Sequence, residues 1–181
     1  MASTFIAGDN TRTVDWGMAI LAGIIAMVVF AVIEIAFSWA ARGAPPLSPL
    51  VVFGTATLHA LMPSATVGGG LRTAIVGAAC LLALGALSGV ILASLVDRLG
   101  VPAAAVVGAV FGLVMYAVDM YGIARALPIL VDLRDWMSAL AYVIQGALTA
   151  ALFTVMTREE PLPASAENAH DLRDLRDVRL V

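Results

Sequence analysis

Cysteine, histidine and lysine are nearly missing from this chain, and their scarcity closes off much of protein chemistry. Among 181 residues there are one cysteine, two histidines and no lysine, and 13% of the residues are charged. Cys80 has no partner for an intramolecular disulfide and reads as a small packing residue inside a helix. The histidines are His59, in a loop, and His170, in the C-terminal tail. A haem held between histidines of facing helices, a zinc site or an iron–sulfur cluster would need more donors than these. No GxGxxG, phosphate-loop or GxSxG pattern occurs, and the Gly68-Gly69-Gly70 run lacks the lysine of a phosphate loop. No catalytic, cofactor-binding or metal-binding residue is therefore assigned. A formal net charge of −3 offers no basic footprint for nucleic acid.

What fills the chain instead is apolar. Hydrophobic residues make up 61% of it. They collect in four runs, over about 16–40, 71–96, 101–123 and 136–156. Crossing a hydrocarbon layer of ~30 Å takes ~20 helical residues, and each run is long enough. The pattern predicts an all-α integral membrane four-helix bundle over 1–157, followed by a charged tail over 158–181. The lipid bilayer is thus the first expected partner. The segment before the first run is poor in positive charge, with Arg12 beside Asp9 and Asp15. That run is also too long for a signal-peptide core, so it is expected to remain as an anchor.

The ends of the runs carry their own signals. Asp15 and Asp135 are placed to cap the first and fourth helices, and Pro102 suits the first turn of the third. Trp16, Trp39 and Trp136 fall where aromatic side chains meet the headgroups. Arg42, Gly43 and the Pro45-Pro46 pair stop the first span. The apolar stretch 49–63 is too short to cross and reads as an interfacial or shallow re-entrant helix. Residues 97–100 leave room only for a tight antiparallel hairpin between the second and third spans. In the tail, Leu172, Leu175 and Val178 mark a narrow apolar stripe on a short charged helix. A solvated tail and a partner-docking helix both remain open there. Four spans put both termini on one side. The arginines flanking the helices are nearly balanced, and Arg173, Arg176 and Arg179 tip both termini towards the cytoplasm.

Small residues mark where helices approach. Gly85 and Gly89, continued by Ala93, form one GxxxG step; Gly108 and Gly112, preceded by Ala104, form another. Such stripes let two backbones come close, a main source of helix association in lipid. The two steps predict packing of the second span on the third, with pairing of two copies of the chain as the rival. Gln145, polar and within the fourth span, is expected to bond a neighbouring helix.

A charged side chain at mid-membrane costs ~2.5–3.5 kcal/mol on the lenient insertion scale, so such residues face a partner or water. Topology gathers Glu34, His59, Tyr116, Asp119, Tyr121 and Arg125 into one leaflet, opposite the termini. Three arrangements are open. Arg125 neutralises Asp119 or Glu34 as a structural ion pair, the group forms a polar vestibule for a proton, cation or small solute, or these side chains reach the headgroups and do neither. The order acid, arginine, then proline three residues later occurs twice, as Glu34–Arg42–Pro45 and Asp119–Arg125–Pro128. It hints at a duplicated helical hairpin.

The stretch Gly108-Ala-Val-Phe-Gly112-Leu-Val-Met-Tyr116, then Tyr121-Gly122, Arg134-Asp135-Trp136 and Gln145-Gly146, resembles the YagU-like family. These are small, largely uncharacterised bacterial membrane proteins, some labelled "sodium:proline symporter". Members tend to carry His near the position of Tyr142 and Asn near that of Asp119. The resemblance implies four spans in the bacterial inner membrane and no established activity. With no catalytic set in view, the leading expectation is a non-catalytic accessory or assembly subunit. It would act through helix contacts with other membrane proteins or its own copies. The alternative is a small ion, proton or solute channel or transporter built on the polar cluster.

Overall fold

The computed structural model describes residues 14–62, 70–125, 127, 131 and 134–158. Among them there are five α-helices and no strand: α1 (Trp16–Ala40), α2 (Ser48–Leu61), α3 (Leu71–Val96), α4 (Val101–Ala117) and α5 (Trp136–Met156). α4 continues as a π turn over Val118–Gly122 and a 3-10 turn over Ile123–Arg125. With these turns included, four helices are long and apolar enough to cross a membrane. The protein is thus a multi-pass helical bundle with a short apolar helix between its first two spans. The expected N-terminal segment and the tail stripe lie outside the described residues.

Local chemistry sets the helix ends. The Asp15 side chain accepts from the Met18 N–H at 3.0 Å, and that of Asp135 accepts from the Ser138 N–H at 2.7 Å. Each satisfies a backbone donor that the first helical turn leaves orphaned. Proline opens α2 and α4, where its missing N–H costs nothing. Gly43, with φ of +62°, makes the turn after α1 that a side chain would strain. Trp16, Trp39 and Trp136 are all exposed at helix ends.

Glycine contacts decide which helices meet. Gly23 of α1 lies against the Gly85 carbonyl and the Gly89 Cα, so a methyl group there would overlap backbone. Gly108 and Gly112 of α4 abut the carbonyls of Gly146 and Tyr142 on α5. Gly54 of α2 and Gly77 of α3 form a third such approach, which lays α2 antiparallel along the first turns of α3. With 14 residues, α2 is too short to cross. The two GxxxG steps therefore do pack helices, but not on each other as expected. Gly85 and Gly89 serve α1, whereas Gly108 and Gly112 serve α5. A short turn joins α3 to α4, but the stronger glycine partners seat them on different neighbours, and the two meet only sparsely.

α5 sits between these units. It packs on α4 and α1 and touches α3. Its span has the lowest mean hydropathy of the four and is the most buried. Two apolar clusters fill the interior. One, towards the termini, centres on Leu92, Val96 and Phe153. The other, towards the opposite face, is built on Phe30, Phe53, Met120 and Tyr142.

Candidate functional site

Both salt bridges among the described residues lie at the end of the bundle away from the termini, and Arg42 is their hub. It leaves the C-terminal end of α1 and reaches back over it. Its Nη1 donates to Glu34 Oε2 at 3.3 Å and to Ser38 Oγ at 3.2 Å. Its Nε and Nη2 donate to Asp135 Oδ2 at 2.9 and 2.6 Å, and Nη2 also reaches Ser138 Oγ at 2.9 Å. Glu34 and Ser38 lie one turn apart on one face of α1, and the turn that follows the helix brings Arg42 back over that face. Asp135, as the cap of α5, brings its carboxylate to the same point. One guanidinium thus binds α1 to α5 through both acids.

Glu34 is the unusual member. It is 1% exposed. One of its oxygens faces Arg42, and the other, Oε1, is buried with no hydrogen-bond partner among the described residues. Two carboxylates share one guanidinium here. Asp135 is the more exposed acid and takes the shorter contact. Burial pushes the Asp135 carboxyl up, but the Ser138 N–H and the Arg42 guanidinium outweigh it and hold it below the usual aspartate value.

Below this hub, aromatic rings line the way to a third acid, Asp119. Tyr116 donates to the Asp135 carbonyl at 3.1 Å. Tyr142 lies edge-on to Phe30, with centroids 4.9 Å apart, and to Tyr116 at 5.7 Å. Its hydroxyl donates to Asp119 Oδ2 at 2.7 Å. Asp119 lies in the π turn that ends α4. Such single-turn bulges occur often at functional sites.

Polar groups continue down α5. Ser138, Tyr142, Gln145 and Thr149 recur at helical spacing and are all buried. Together they run about 16 Å along the axis, and Thr154, also buried, lies on another face of the helix. Gln145 donates to Ser88 of α3 and to Thr149, both at 3.2 Å. This is the interhelical bond expected for it. Thr149 and Thr154 return their hydroxyls to carbonyls of their own helix, at 2.9 and 2.8 Å.

The residues named from sequence divide between this site and the surface. Glu34, Tyr116 and Asp119 enter it. Tyr121 is half exposed, edge-on to Tyr116 and covered by the Arg134 guanidinium at 3.6 Å from its centroid. His59 is exposed near the end of α2. Arg125 is exposed on the 3-10 turn and takes part in no salt bridge among the described residues. The expected pairing of Arg125 with Glu34 or Asp119 gives way to Arg42. The turn after α1 brings Arg42 back over the face that carries Glu34, whereas the π turn swings Asp119 inward and leaves Arg125 outside. The echo between the two acid–arginine–proline stretches therefore fails at its arginines. The residues the sequence did not single out for this site are Ser38, Arg42, Asp135, Ser138 and Tyr142. No three His, Cys, Asp or Glu side chains among the described residues gather as a metal set.

A cleft opens beside the site, between α3 and α4. It encloses about 70 Å³ and is otherwise open, with Leu81, Leu84, Leu87 and Ile91 on one side and Phe111 and Met115 on the other. Ser88, Asp119, Tyr142 and Gln145 are its polar lining.

Fold and site together define a multi-pass helical membrane protein with a buried ionic cluster at one end. Compared with known proteins, the chain matches no family model, no curated protein and no solved structure.

Proposed function

We propose that the protein handles a proton or a small cation at the Glu34 cluster, as a small transport protein of the bilayer. The observation that carries this reading is the fully buried Glu34 carboxylate, whose Oε1 makes no hydrogen bond of good geometry among the described residues, with only the Ser138 hydroxyl beside the group. A buried acceptor left without a partner costs ~1–3 kcal/mol, and more when charged. A bundle that keeps such an atom next to its hub arginine gains nothing in stability from it. A proton or cation arriving at Oε1 would satisfy it. The buried Ser138, Tyr142, Gln145 and Thr149 on one face of α5 support the same reading, because they set hydrogen-bonding groups along about 16 Å of that span.

In this reading Asp135 and Arg42 form the mouth, since Asp135 is a third exposed and Arg42 a fifth. Arg42 holds Glu34 in place and lowers the cost of its charge. The cluster would sit in a bacterial inner membrane, with both termini cytoplasmic. Membership of the YagU-like family belongs to the same proposal. It rests on the resemblance of the stretch named from sequence, in which Gly108, Gly112 and Gly146 meet at the α4–α5 contact.

The test is proton and cation flux into proteoliposomes holding the purified protein. Glu34→Gln should lower it by more than about tenfold. A folded preparation that conducts nothing, yet co-purifies from its host with a stoichiometric membrane partner, would instead favour the accessory-subunit expectation.

A further inference from the structure

The cleft between α3 and α4 is lined by none of the Arg42, Glu34 or Asp135 side chains. The two helices leave a four-residue turn and part, because each is seated by its glycines on a different neighbour. The enclosed part of the space between them is small, about 70 Å³, and the rest lies open to the side, so the cleft is a groove and not a closed pocket. Leu84, Leu87 and Ile91 are each partly exposed along it, so it opens sideways, where acyl chains lie. From Leu81 to Ile91 its wall runs about 15 Å, half the thickness of a hydrocarbon layer. Asp119 stands at the upper end, towards the outer face of the bundle, and apolar side chains continue inward from it.

We propose that this cleft binds a single-tailed amphipathic amine taken from the bilayer. The ammonium group would sit on Asp119, and the tail along Leu84, Leu87, Ile91 and Phe111. Charge complementarity selects this occupant. Asp119 receives one hydrogen bond, from the neutral phenol of Tyr142. Both salt bridges among the described residues belong to Arg42, and Arg125 faces outward. An acid without a cation at the head of an apolar cleft matches a cation carried on an apolar body. A fatty acid of the same length would set like charges together. A fatty alcohol would fill the same space with no ionic contact. The inference does not depend on flux through the Glu34 cluster.

The test measures binding of radiolabelled dodecylamine, dodecanol and dodecanoate to the full chain in lipid nanodiscs, against empty discs. Dodecylamine should bind saturably, and dodecanol more than about tenfold more weakly. Dodecanoate should not exceed the alcohol. Asp119→Asn should bring the amine down to the level of the alcohol without moving the alcohol itself. Leu87→Trp, at the lipid-facing lip, should weaken both amine and alcohol while leaving the helical circular dichroism intact. Because Leu87 is half exposed, that variant tests the site even if Asp119→Asn disturbs folding. The proposal is overturned if the wild type takes up amine no better than alcohol, or if its uptake never saturates. It also fails if folded Asp119→Asn keeps the full preference for amine, or if Leu87→Trp leaves amine binding unchanged.

Discussion

Arg42 aims two N–H groups at a single oxygen of Asp135, which lies 93 residues further along the chain. The contact ties the loop after the first span to the cap of the last. It also fixes where Glu34 lies, because the remaining Nη1 of the same guanidinium reaches that acid. Removing one partner of a buried ion pair leaves the other charge uncompensated, at a cost of ~3–5 kcal/mol. Arg42→Met is therefore expected to destabilise the protein by roughly that amount, reduced to the extent that Asp135 can be solvated. Adding Glu34→Gln should recover part of the loss. Unfolding of the two single variants and the double variant in mixed micelles gives the coupling energy directly.

Asp135 predicts a pH dependence. Its folded-state carboxyl titrates below the ordinary value of 3.8. A depressed acid contributes stability that is present above its unfolded pKa and is lost as pH falls through the folded one. This group should thus leave stability flat down to about pH 4 and erode it below. Asp135→Asn should remove that acid-side slope, and Asp135→Ala should also cost the cap, ~0.5–2 kcal/mol. Thermal unfolding across acidic pH checks both.

The glycine contacts predict opposite outcomes for one substitution. At Gly146 a Cβ would overlap the Gly108 carbonyl and meet the Gly112 nitrogen at 2.9 Å, so Gly146→Ala must part α4 from α5. Overpacking of this kind costs ~1–3 kcal/mol. At Gly122 a Cβ meets nothing within 4 Å. Gly122→Ala should be neutral or slightly stabilising. Melting temperatures of the pair decide it.

Gln145 should matter less than its burial suggests. Interhelical hydrogen bonds in membranes average ~0.6 kcal/mol, because polar groups find other partners when the bond is lost. Gln145→Leu is expected to cost about that much, measured by the same micelle unfolding. A loss of several times this value would show that the bond to Ser88 holds α3 against α5.

Much of the fold was legible from composition and spacing alone. Run length gave the four spans and the short helix between the first two, and Asp15 and Asp135 cap as their positions predict. The pairing of spans was not legible from the two GxxxG steps by themselves. Their partners, Gly23 and Gly146, carry a weaker signal, each with a small residue four positions away at Ala19 and Ala150. A hairpin turn says that two helices are consecutive, whereas close backbone approach says which ones touch. The site was half visible. Glu34, Tyr116 and Asp119 stood out as polar groups in an apolar run. Arg42 read as a helix stop and Asp135 as a cap, and each does that while also forming the ion pair. The four-residue spacing of Glu34, Ser38 and Arg42 was the available clue. Nothing in the sequence announced the π turn that brings Asp119 to Tyr142 and leaves Arg125 outside.

The most direct measurement is proton flux into dye-loaded proteoliposomes driven by a pH step, for wild type, Glu34→Asp and Glu34→Gln at matched protein content. The expected order is wild type first, Glu34→Asp partly active, and Glu34→Gln level with empty vesicles. Flux in folded Glu34→Gln equal to that of the wild type would contradict the role given to the buried Glu34 carboxylate.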